Sequence, residues 1–225
     1  MGKSRAVPRE GTAEDPSRVV MDLASLVARG HTALVTQECQ NGVIGEQAVF
    51  PDLAAAARAG MIGNAARLTK AARASGIPVV HCLALRRADG LGSSSNARIF
   101  GAARKSHVVL LPGSEAAAVV PEIGVEDTDV VLTRYHGLGP MGGTDLDAVL
   151  RALQVTTVVG IGVSVNVGMT NFVMDAVNAG YQFVLPRDAV AGIPASYADA
   201  VIDNTLSLLA TVVTTDEVVA AWEAA

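Results

Sequence analysis

The stretch Gly160-Ile161-Gly162-Val163-Ser164-Val165-Asn166-Val167-Gly168, continued by Met169 to Tyr181, decides the fold. Its first half is apolar and β-branched without alternation, the pattern of a strand buried on both faces. A short polar turn comes next. The remainder runs at helical period to Gly180, a residue suited to the left-handed position just past a helix end. Strand, tight turn and helix in that order make one unit of a parallel sheet.

The same alternation extends outward in both directions. Strands are expected at 32–36, 78–83, 129–133, 157–162, 182–185 and 211–213, all short apolar runs bounded by turns. Helices are expected at 53–75, which Gly76 and Pro78 stop, at 145–153 behind a Thr144 cap, at 166–179, and at 196–209. The expected fold class is therefore α/β: a three-layer α/β/α domain around a mainly parallel sheet of about six strands, with a Rossmann-like topology. A chain of 225 residues suits one domain, placed at 21–225, behind a flexible N-terminal tail at 1–20. Half of the residues are apolar but only 4% are aromatic, so small aliphatic side chains must fill the core.

Composition excludes several classes. The net charge is −5, no basic run occurs and stacking aromatics are few, which argues against nucleic-acid binding. No apolar run reaches the roughly 20 residues that span a bilayer, and the polar start lacks a signal-peptide core. Two cysteines, Cys39 and Cys82, make no disulfide framework, so a reducing, cytoplasmic setting is expected. The glycine-rich pieces lack phosphate-loop spacing, and no His/Cys cluster has zinc spacing. Neither a cofactor nor a metal is expected.

In open parallel sheets ligands bind beyond the carboxyl ends of the strands. That rule places Glu38, Arg134, His136 and the turn from Gly162 to Gly168 on one rim. Residues 86–106, rich in Gly, Ser and Arg, read either as a lid, as a subunit-contact arm, or as a solvated loop. Cys39 neighbours Glu38, and consecutive strand residues face opposite ways, so Cys39 is expected to pack inward. His81, beside Cys82 at a strand end, reads as a core residue.

Three blocks in order resemble the isochorismatase-like superfamily of cysteine hydrolases, from about Thr32 to Thr214. The first, Ala33 to Asn41, resembles the family's strand ending in Asp-x-Gln-Asn, with Glu38 at the acid position. The second, Val130 to His136 with Gly143-Thr144-Asp145-Leu146, resembles its strand ending in Lys, with Arg134 at that place. The third, Gly162 to Gly168 with Asp175-Ala176, Gly180-Tyr181 and Asp188-Ala189, resembles the turn that carries the nucleophilic Cys, here Gly168.

The resemblance implies a fold, a site and a departure. The family's common members are amidases, which need a thiolate to attack a carbonyl. Gly168 has no side chain to supply one. A branch of the family, the isochorismatases, also carries Gly there and hydrolyses a vinyl ether by protonating its methylene carbon. In that chemistry Glu38 is the general acid. Arg134 either takes a substrate carboxylate bidentately or holds Glu38 ionised in a silent protein that binds a metabolite or partner. The resemblance also implies a non-proline cis peptide at about Ser164-Val165, aiming backbone N–H groups inward. Those donors could bind an anion, and Asn166 could equally be only a helix cap. The expected catalytic set is thus Glu38, Arg134 and Gly168, and the expected substrate contacts are Gln40, Tyr135, His136, Ser164, Val165 and Asn166. A small-molecule substrate is implied, and so is a homo-oligomer, dimer or tetramer, joined through apolar positions in 54–61 and the 86–106 arm.

Overall fold

A computed structural model describes residues 22–224 of the chain; the expected tail at 1–20 lies outside them. Seven strands form one sheet: β1 (Thr32–Gln37), β2 (Val79–Ala84), β3 (Val130–Arg134), β4 (Thr157–Val163), β5 (Gln182–Pro186), β6 (Val190–Ala191) and β7 (Thr211–Val213). The path is β3-β2-β1-β4-β5-β7, with β6 beside the end of β4, and every pairing is parallel. The strand beyond the expected six is β6, whose two residues are too short to carry a pattern. Every residue of β1 and β4 is buried, which is why neither alternates in sequence. β3 alternates in burial though not in sequence, with Val131 exposed, because it is a sheet edge paired only to β2.

Nine α-helices surround the sheet among the described residues: α1 (Leu23–Leu26), α2 (Asn41–Ile44), α3 (Pro51–Ala56), α4 (Ile62–Ala74), α5 (Arg98–Ala103), α6 (Leu146–Ala152), α7 (Thr170–Asn178), α8 (Ala195–Asn204) and α9 (Thr215–Glu223). The helix expected at 53–75 is split by a wide turn at Ala57–Met61, where Gly60 leaves helical conformation. Alternate strand residues feed two cores. Leu34, Val159 and Ile161 meet α1 to α4 and α9, whereas Ala33, Val35 and Val158 meet α6 to α8. Within 54–61, Ala54, Ala57 and Met61 are buried in the chain's own core, while Ala55 and Ala59 are exposed. α9 was not expected. Thr214 and Glu217 build a reciprocal capping box at its start, and Asp188 accepts from both the backbone N–H (2.8 Å) and the hydroxyl (2.9 Å) of Thr215. Trp222 closes the helix against the sheet, donating to the Val27 carbonyl at 2.9 Å.

A buried polar chain ties the sheet to α4. His81 on β2 has no exposure. Its Nε2 faces Asp129 Oδ2 at 3.2 Å, and its Nδ1 faces Thr36 Oγ1 at 2.9 Å. A carboxylate only accepts, so the proton sits on Nε2 and the Thr36 hydroxyl donates to Nδ1. Arg73 of α4 clasps the same carboxylate at 2.7 and 3.2 Å. Burial, with Arg73 close by, lowers the His81 pKa below its ordinary 6.5, against the opposing pull of Asp129.

Because the folded value is depressed, the stability contributed by neutral His81 is fully present above about pH 6.5 and is lost as pH falls through the folded value. The melting temperature is therefore expected to fall on acidification from neutral pH, and to fall less in His81→Gln. Thermal denaturation across that range checks it; equal pH slopes in the two proteins would remove His81 as the source.

Candidate active site

The site lies where β1, β3 and β4 end. β1 stops at Gln37, and Glu38 turns the chain through a left-handed conformation (φ 55°) while its N–H still bonds the Cys82 carbonyl at 2.9 Å. That turn lifts the Glu38 carboxylate out of the sheet and drops Cys39 into the core with no exposure. Burial, aided by the charge of Glu38, pushes the Cys39 thiol up to about 12, so it stays protonated and inert.

Arg134, the last residue of β3, meets Glu38 head-on: Arg134 Nη2 and Glu38 Oε1 form an ion pair. The Arg134 side chain is 4% exposed and that of Glu38 21%. The same Nη2 also donates to the Leu138 carbonyl at 3.3 Å. Nε and Nη1 of Arg134 are buried and have no partner among the described residues. A guanidinium does not give up its charge, so these donors are the site's unspent capacity for an anion.

β4 delivers the third side. Its glycine at 162, with φ 121°, packs so closely on β1 that a Cβ there would collide with the Gln37 backbone carbonyl. The cis peptide lies at Val163–Ser164, one bond earlier than expected. A wide turn at Val165–Met169 then leads into α7, with the Thr170 hydroxyl on the Val165 carbonyl at 2.6 Å. Gly168 is buried in that turn, facing Gln37.

These ends floor a cavity of about 210 Å³. Glu38, Arg134, Tyr135, His136, Ser164 and Gly168 all line it. Three other expected contacts do not. Gln40 spends its whole amide on backbone: it donates to the Ala84 and Ala117 carbonyls (2.9 and 3.0 Å) and accepts from Ala84 N–H (2.8 Å). Val165 is buried in the core beside α7 and α8. Asn166 donates to the Ile193 carbonyl at 3.3 Å and is not a cap, since Ser164 precedes the turn.

The walls are apolar: Phe50, Leu53, Ile99, Phe100 and Leu110 among them. Several come from residues 86–106, which fold over the cavity and include α5. Gly137 N–H pins this segment through Ser94 Oγ at 3.0 Å. Arg86 also lines the cavity. Its position at a strand end was visible in the sequence; its direction was not. No group of His, Cys, Asp and Glu among the described residues has the geometry to hold a metal ion. No helix of the described residues is long and apolar enough to cross a membrane.

Comparison with known proteins agrees with this geometry. Residues 32–217 match the profile of the Isochorismatase domain family, so the chain belongs to the isochorismatase family, a hydrolase-like group. An isochorismatase family protein from Burkholderia thailandensis superposes with a TM-score of 0.72 at 27% identity, covering 87% of this chain and 97% of that one. N-carbamoylsarcosine amidase from Thermoplasma acidophilum superposes at 0.66 with 26% identity, covering 83% and 97%. The uncharacterized isochorismatase family protein YwoC of Bacillus subtilis (strain 168) is 39% identical over 75 residues, 33% of this chain and 39% of its own length. The match thus spans well under half of that relative.

Removing Glu38 strands a buried cation. Breaking a buried pair typically costs about 3–5 kcal/mol, less where one partner is partly exposed. Glu38→Ala is expected to lower the melting temperature by about 5–15 °C, with formate at high concentration restoring part of it. A variant as stable as the parent, or one indifferent to formate, would show that the pair carries no such weight.

Proposed function

We propose that this chain is an isochorismatase-type hydrolase that acts on a small carboxylated vinyl ether without a covalent enzyme intermediate. The observation that carries this reading is the floor of the cavity: a carboxylate and a partly unpaired, buried guanidinium beside Gly168, the position that the sequence resemblance assigns to the family's thiol. Such a floor can anchor an anion and move a proton. No thiol is among the described residues that line the cavity.

In this mechanism the substrate's carboxylate approaches Arg134 and draws off part of the guanidinium's pairing with Glu38. Glu38 acts as the general acid through its carboxyl proton. It delivers that proton to the methylene carbon, and the ether oxygen stabilises the oxocarbenium ion that forms. Water adds to the cation and returns a proton to Glu38. The hemiketal then collapses to pyruvate and an alcohol. One water is consumed and the enzyme ends as it began.

The ion pair itself favours a second reading. With Glu38 held as a carboxylate by Arg134, the cavity would bind a carboxylated metabolite and leave it intact. Isochorismate distinguishes the two. Pyruvate release by the parent, reduced about 10²- to 10⁴-fold in Glu38→Gln, is expected from general acid catalysis. No pyruvate, with isochorismate raising the melting temperature, would replace the hydrolase by the binding protein. No pyruvate and no thermal shift would remove isochorismate from both readings.

A further inference from the structure

Gln37 is a misplaced residue by ordinary rules. It ends β1 on the face that Ala33 and Val35 give to the core, and it has no exposure. Its Nε2 donates to the Leu138 carbonyl at 3.2 Å, but its Oε1 is buried without a partner among the described residues. A half-satisfied buried amide costs stability, and an apolar side chain of the same shape would avoid that cost. Something besides packing therefore accounts for it.

The neighbour across the gap is Gly168. A Cβ built there would lie closer to Gln37 Nε2 than carbon and nitrogen can pack, and 3.2 Å from both the Leu138 and Val163 carbonyl oxygens. Two sides of the seat are thus fixed backbone, and the third is the Gln37 amide. That amide is the far end of a side chain that could swing aside in open space. Here it is enclosed by core and tied to Leu138 O, the carbonyl that Arg134 also bonds.

We propose that Gln37 determines the class of reaction this site can host: its carboxamide occupies the seat of a side chain at position 168 and so bars a thiol from it. This inference extends the thiol-free reading above, but it is a statement about space and can be tested without turnover.

The test is a four-protein cycle of parent, Gln37→Ala, Gly168→Cys and the double variant, read by melting temperature and by reaction with Ellman's reagent on the folded protein. The background is clean, because both native thiols are buried and pushed up to about 12 by that burial. Gly168→Cys alone is expected to lower the melting temperature by about 3–10 °C, the range for overpacking a core. The double variant is expected to lie well above the sum of the two single losses, and to show one reactive thiol per chain, since position 168 lines the cavity. If Gly168→Cys proves too unstable to melt cooperatively, Gly168→Ala takes its place in the thermal cycle, and the double variant still supplies the thiol count. Gly168→Cys at the parent's melting temperature, or strictly additive losses, would overturn the proposal. Either result would leave the vinyl-ether reading to its own assay, and a failed pyruvate assay would leave this cycle unaffected.

Discussion

The tight rung between β1 and β4 governs the site. Gln37 pairs with Gly162 in register, and at that rung the backbones come so near that no Cβ fits on the β4 side. Both strands are central and wholly buried, so this spacing is held from both faces by packed core. The course of the chain beyond each strand is then fixed within narrow limits. After Gln37 the chain must turn at Glu38, and after Gly162 it must turn at Val163–Ser164. The carboxylate and the position 168 turn face each other because their strands cannot move apart or slip by a residue.

Electrostatics gives this geometry its chemistry. The floor holds one anion and one cation, partly withdrawn from water so that their interaction is stronger than in bulk solvent, and Arg86 and Arg104 also line the cavity. A lysine at position 134 could shed its charge under such burial; the guanidinium cannot. Arg134 is therefore a permanent cation at the end of β3, and Glu38 is its charged partner.

Much of this was legible in the sequence, for identifiable reasons. Buried parallel strands advertise themselves as unbroken apolar runs, and the six long enough to do so lie within a residue or two of their expected places. Strand ends in a parallel sheet locate the rim, which brought Glu38, Arg134, Tyr135, His136 and Gly168 together from the sequence alone. Side-chain direction was not legible. Gln40 and Asn166 are polar residues at the rim in sequence, yet both turn back onto backbone carbonyls, a choice set by loops far along the chain at Ala117 and Ile193. α9 starts at the Thr214–Glu217 capping box directly after β7, a signal of only two residues. Gln37 was hidden for the opposite reason: inside a strand it reads as one more buried position, and its role depends on a glycine 131 residues later, the difference between 168 and 37.

The packing around Gly168 is accordingly a property of several positions at once. Gly168 alone would leave a gap, which a buried core tends to penalise or fill with water. Gln37 fills it, and the carbonyl that anchors Gln37 also bonds Arg134, which pairs with Glu38. A chain of contacts thus runs from the filled seat to the acid through a single backbone oxygen. Returning a cysteine to position 168 would disturb that oxygen's partners, and through them the pairing on which Glu38 depends. Gly168 fits this fold because Gln37 and the Leu138 and Val163 carbonyls crowd the space that a side chain there would need.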